Sequence, residues 1–155
     1  VIVKKSLLGR SGRKLPTMLD YRTHTDKGSM YNTPPVFSIY VSMLTMKWIV
    51  ESGGLKAMEK RNEEKAGLLY AEIDRNSCFT GTVRPEDRSR MNVVFIPVKQ
   101  EFEKPFLESC RAAGCVGLEG HRSVGGFRAS LYNALELSSV EVLVSVMKKK
   151  KKKNG

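Results

Sequence analysis

The chain has 155 residues, 41% hydrophobic and 28% charged, ordinary values for a soluble globular protein with room for one core, alone or as part of a larger protein. Its formal charge of +11 invites a nucleic-acid reading, but six of those charges form the run Lys148–Lys153 and the remainder carries only +5. A run of like charge repels itself and buries nothing, so 148–155 is expected to be a lysine-rich, disordered tail.

In chain order, Val1-Ile2-Val3 has the continuous apolar character of a strand covered on both faces, with no cap before it, which points to sequence upstream. Two lysines follow at once, so no signal peptide is expected. Leu7 to Asp20 mixes Gly, Arg, Lys and Pro and is expected to be a loop. Asn32-Thr33-Pro34-Pro35 combines capping residues with proline and predicts a helix running to about Val50, with a glycine stop at Gly53-Gly54. The uncharged stretch Gly28 to Met46 contains this helix, and Asn32 and the prolines argue against a membrane span. Its apolar residues go nearly all round, so the helix is expected to be buried between layers.

A second helix is predicted from about Leu55 to Asp74. Leu55, Met58, Ala66, Leu69 and Ile73 form its apolar side, and Lys56, Lys60 and Lys65 its polar face. Asn76 to Arg90 is expected to be irregular. Met91–Ile96 is strand-like and closed by Pro97, Glu101–Ala113 is helical, with a proper start near Pro105, and Val116–Leu118 is a short strand. Phe127–Leu131 is expected to pair back across Gly125-Gly126, and Ser138-Ser139 opens a last helix, Val140–Met147. Alternating helices and strands make the class α/β, with a mixed or antiparallel second half. Cys78, Cys110 and Cys115 form no CxxC pair and have no histidine cluster nearby, so free thiols in a reducing, cytoplasmic compartment are expected rather than a zinc site.

The segment Gly120 to Ser130 carries the sharpest chemistry. His121, Arg122 and Arg128 surround Gly125-Gly126, and arginine offers a planar fork matching two carboxylate or phosphate oxygens at once. Glycine lets backbone approach a ligand without an intervening Cβ. The segment therefore reads as a pocket for one anion or two. Taken singly, each residue has a plainer role: His121 satisfied by backbone, the arginines a solvated rim, Asn32 or Thr33 a helix cap.

Tyr31-Asn32-Thr33-Pro34-Pro35, Ser89-Arg90-Met91-Asn92-Val93 and the run from Gly120 to Ala134 resemble the corresponding stretches of the phosphoserine aminotransferase family, and the resemblance extends from Val1 to about Met147. The family is a fold type I, class V pyridoxal 5′-phosphate aminotransferase. The resemblance implies its C-terminal part: residues 1–54 as the end of the large cofactor domain with an interdomain helix, and 55–147 as a small α/β domain. It implies that Asn32 and Thr33 hold the cofactor phosphate of a neighbouring subunit, so that each active site spans a homodimer interface. It further implies that Arg128 binds the substrate α-carboxylate, while His121 and Arg122 take the distal phosphate of phosphoserine or the side-chain carboxylate of glutamate. The reaction would convert 3-phosphohydroxypyruvate and glutamate into O-phosphoserine and 2-oxoglutarate. The family's Schiff-base lysine lies upstream of the position matching Val1, so no catalytic residue is assigned and the 155 residues alone are expected to be inactive. The alternatives are another class V aminotransferase or a non-catalytic basic module for acidic partners. No RRM, KH or zinc-finger signature supports nucleic-acid binding.

Overall fold

The computed structural model describes the backbone of residues 1–120 and 125–154, with side chains up to residue 149. The chain divides into two compact units, Val1–Trp48 and Ile49–Gly155.

In the first unit, single 3-10 turns at Lys5–Leu7 and Thr17–Leu19 lead to a short helix, α1 (Tyr21–Thr25), absent from the sequence reading. Asp20 caps it by accepting from the Arg22 backbone N–H at 3.0 Å, and the Arg22 guanidinium closes on the same carboxylate at 2.6 Å. Val1 to Val3 is not a strand, because no strand among the described residues offers a ladder to it, and Val1 and Ile2 are fully exposed. α2 (Val36–Glu51) begins just after Pro34-Pro35, as expected. Its burial is corrected: none of its residues is buried, and Phe37 is 79% exposed. A helix apolar all round needs cover on every side, and the described residues do not supply it.

The second unit holds the core. α3 (Gly54–Arg75) is followed by β1 (Phe79–Gly81), β2 (Asn92–Pro97), α4 (Glu103–Ala112), β3 (Phe127–Ser130) and α5 (Leu137–Asn154). The strands form an antiparallel sheet in the order β1-β2-β3. Inward and outward residues alternate, so Phe79, Val93, Phe95, Phe127 and Ala129 are buried while Arg128 is exposed. The buried face shares one core with Leu69 and Ile73 of α3, Phe106 of α4, and Val140, Leu143 and Met147 of α5.

Four phenylalanines bind these layers together. Phe106 lies 4.7 Å from Phe79 and 4.8 Å from Phe127 between ring centres, and Phe95 lies 5.1 Å from Phe127. Each fully buried ring contributes about 1.5–3 kcal/mol by leaving water, with more from tilted ring packing.

Three other expectations are corrected. β1 arises within the stretch read as irregular, because Phe79 can bury against Phe95 and Phe106. Val116–Leu118 is not a strand; only an isolated bridge, Glu119 to Phe127, forms there. α5 stays helical through Asn154, where a disordered tail was expected. Its register is set earlier, by Val140, Leu143, Val144 and Met147 in the core, and the following backbone continues that helix.

Candidate functional site

Arg128 is held by its backbone and free at its tip. On one side β3 pairs with β2, placing Arg128 opposite Val94; on the other its N–H donates to the Leu118 carbonyl at 2.9 Å. The neighbours Phe127 and Ala129 are buried, so alternation turns the Arg128 side chain outward. Among the described residues no carboxylate pairs with its guanidinium. A fixed backbone and an exposed fork suit an anion arriving from outside.

Within the Gly-Gly pair, Gly126 makes a close approach to β2 and Gly125 faces open space. Gly125 and Gly126 sit at φ 72° and 67°, and Gly126 accepts from the Gly120 N–H at 2.9 Å. A Cβ on Gly126 would lie 2.6 Å from Ile96 Cγ2 and 2.8 Å from the Phe95 carbonyl oxygen. A Cβ on Gly120 would collide with the Gly125 carbonyl. The glycines thus let backbone close on backbone, bringing the two flanks of the segment together beside β2. His121 and Arg122 lie between those flanks, outside the described residues.

Asn32 and Thr33 belong to the first unit and are exposed just ahead of α2. The Asn32 amide donates to the Thr33 carbonyl at 3.5 Å, the outer limit of a hydrogen bond, and among the described residues neither side-chain oxygen accepts from a backbone N–H of α2. The loop that presents them is tethered. His24 Nε2 lies 3.1 Å from the Met18 carbonyl, the Ser29 N–H donates to the His24 carbonyl at 2.7 Å, and the His24 ring stands edge-on to Tyr31.

Lys65 is the largest correction. Placed on the polar face of α3 by sequence, it is 0% exposed, and its ammonium donates to the carbonyls of Leu131 at 3.2 Å, Tyr132 at 2.7 Å and Leu135 at 3.0 Å. Desolvation, with Arg61 nearby, lowers its pKa, and Glu136 opposes that shift. One turn earlier, buried Asn62 donates to the Asn133 side-chain oxygen at 2.8 Å. A signal existed in the sequence: Met58, Asn62, Lys65 and Leu69 follow the spacing of the apolar stripe, so a polar residue there needed a buried partner.

Cys110 is buried, and desolvation first, then Cys115, pushes its thiol up to about 12. That is the chemistry of an inert core thiol. Among the described residues no cluster could hold a metal ion, and no helix is long and apolar enough to cross a membrane.

The family model for aminotransferase class-V matches residues 2–143. The chain belongs to the class-V aminotransferase family. It is 57% identical over 148 residues to the phosphoserine aminotransferase of Flavobacterium psychrophilum and 53% identical over 149 residues to that of Bacteroides thetaiotaomicron, covering 96% and 95% of this chain. Among solved structures, the phosphoserine aminotransferase of Bacillus circulans subsp. alkalophilus superposes with a TM-score of 0.87 at 44% identity over 99% of this chain. The PLP-bound enzyme of Trichomonas vaginalis gives 0.77 at 43% identity over 86%. The chain spans 42% of the length of both curated relatives, and 43% and 39% of the two solved chains. The α/β class expected from sequence is that of these neighbours, with all strand pairs antiparallel among the described residues.

Proposed function

We propose that this chain is the C-terminal part of a phosphoserine aminotransferase, which moves an amino group from glutamate to 3-phosphohydroxypyruvate and leaves O-phosphoserine and 2-oxoglutarate, a step of serine formation. The observation that carries this reading is 57% identity to a protein of that name across 148 of the 155 residues. Arg128 supports it, with a backbone pinned on both sides and a guanidinium unpaired among the described residues. Both amino donors share an α-carboxylate, and a bidentate arginine both neutralises that group and fixes Cα over the reacting centre.

His121 and Arg122 select the distal anion, phosphate in one half of the cycle and carboxylate in the other. A cationic pair that takes either anion suits a site emptied and refilled by two substrates, and His121 gains positive charge readily beside a phosphate dianion. Asn32 and Thr33 fit a cofactor phosphate, because their side chains are exposed and bound to nothing stronger than a neighbouring carbonyl. Pyridoxal 5′-phosphate would supply the electron sink and the amino carrier. The lysine that bonds to it lies in the remaining part of the polypeptide. The uncovered α2 surface suits burial by that part and by a second subunit, with Asn32 and Thr33 serving the neighbour's site.

The test joins this chain to the upstream portion of the Flavobacterium psychrophilum relative and measures glutamate released from 2-oxoglutarate and phosphoserine. The hybrid turns over, and the 155 residues alone do not. Arg128→Lys in the hybrid lowers kcat/KM by roughly tenfold or more for both donors, the scale of a lost charge-assisted hydrogen bond. A folded, cofactor-loaded hybrid that ignores phosphoserine but transaminates other amino acids refutes the assignment.

A further inference from the structure

Lys65 is a buried charge that the proposed chemistry leaves unused. It lies on α3 with its ammonium inside the connection between β3 and α5, holding three carbonyls of residues 131–135. Leu131 is gripped twice, since its N–H donates to the Met91 carbonyl at 2.7 Å, extending the β2–β3 ladder by one rung, while its carbonyl accepts from Lys65. The Leu135 N–H donates to the Tyr132 carbonyl at 2.9 Å, so the carbonyls converge because the connection is wound around the ammonium. Asn62, on the same side of α3, ties down Asn133.

Leu131 stands three residues beyond Arg128 on the same extended segment. Arg128 itself has an exposed side chain with no ion-pair partner among the described residues, so its direction is set by its backbone. That backbone is fixed at its N-terminal side by the glycine closure and at its C-terminal side by Leu131.

We infer that Lys65 is a positioning residue: by clamping the Leu131, Tyr132 and Leu135 carbonyls it fixes the C-terminal end of β3, and so the placement of the Arg128 guanidinium for the substrate carboxylate. Three convergent acceptors call for a donor with three hydrogens and a positive charge, which lysine alone among the side chains supplies from a single atom. The clamp consists of three hydrogen bonds of the fold, and its consequence for substrate rests on the carboxylate-binding role proposed for Arg128.

Two measurements separate these parts. Amide hydrogen exchange on the full 155-residue chain compares wild type with Lys65→Met and Lys65→Gln. The amides of Arg128, Leu131 and Leu135 exchange about tenfold faster in the variants, while Phe95 and Phe106 keep their protection. A uniform acceleration across the unit overturns the clamp, since it would mark general loss of stability. In the catalytic hybrid, assayed well below the melting midpoint, Lys65→Met raises KM for glutamate and phosphoserine alike by about tenfold and leaves kcat within about threefold. A merely structural lysine lowers the fraction of folded enzyme, so kcat falls and KM stays, and that result overturns the inference. Should Arg128→Lys leave KM untouched while Lys65→Met still loosens Leu131, the carboxylate reading fails and the clamp survives. Lys65→Gln keeps two donor hydrogens and shows the same pattern at smaller size, so the comparison holds if the methionine variant does not fold.

Discussion

Two adjacent glycines in the candidate pocket segment allow conformational and steric effects to be measured apart. Gly125 and Gly126 both have φ near +70°, so alanine at either pays about 1–2 kcal/mol for the left-handed region. Part of that is offset, because alanine narrows the unfolded ensemble by about 0.4–1 kcal/mol relative to glycine. At Gly125 nothing lies within 4 Å of an added Cβ, so Gly125→Ala should destabilise by only about 1 kcal/mol. At Gly126 the Cβ would lie 2.6 Å from Ile96 Cγ2 and 2.8 Å from the Phe95 carbonyl oxygen, where ordinary contact starts at 3.4 Å. Most of an ångström must come from moving β2 away from β3, and overpacking on that scale adds about 1–3 kcal/mol. Gly126→Ala should therefore cost about 2–4 kcal/mol in total. Urea unfolding of the 155-residue chain, followed by backbone circular dichroism at constant m-value, reads both numbers. If the two variants agree within about 0.5 kcal/mol, the close approach of Gly126 to β2 is wrong, and with it the account of how the pocket's flanks are held.

Other outcomes follow from the same geometry. In the hybrid enzyme His121→Ala should depress kcat/KM for phosphoserine far more than for a short neutral amino acid, and equal losses would reject its distal-anion role. Arg88 forms a hydrogen-bonded pair with the Asp74 carboxylate and stacks 4.5 Å above Tyr70, holding Asp74 below its ordinary 3.8. The folded-state pKa is depressed, so this stabilisation is complete above pH 3.8 and is lost as pH falls through the folded value. Asp74→Asn should thus flatten part of the acid-unfolding limb below pH 4, by under about 1 kcal/mol because the carboxylate is half exposed; an unchanged limb would show the pair to be inert. Deleting Lys148–Lys153 should leave transamination by the hybrid unchanged, and a large loss would favour a basic arm that engages an acidic partner.

Local rules were enough for elements whose signals sit in neighbouring residues. The start of α2 after paired prolines, β2 ending at Pro97 and the amphipathic run of α3 follow from breakers and periodicity. Arg128 stood out by residue type beside a glycine pair, whereas Asn32 and Thr33 were pointed to by the family resemblance, their local sequence reading equally as a helix cap. What residue type could not show was which neighbours the glycines face. Gly126 closes on the Phe95 carbonyl and Ile96 while Gly125 faces open space, a difference that depends on β2, some thirty residues earlier in the chain.

The sequence by itself determined where α2 starts and where β2 lies, since breakers and periodicity are properties of adjacent residues, and its motifs carried the resemblance to the class-V aminotransferases. Only the tertiary structure decided that Lys65 points inward, that Phe79 starts a strand, and that α2 stands uncovered. Each depends on partners far along the chain or outside it: carbonyls at 131–135 for the ammonium, rings at 95 and 106 for Phe79, and no covering surface among the described residues for α2. Burial is a property of pairs, and a lysine spaced like a leucine shows its environment only when the opposite wall is in place.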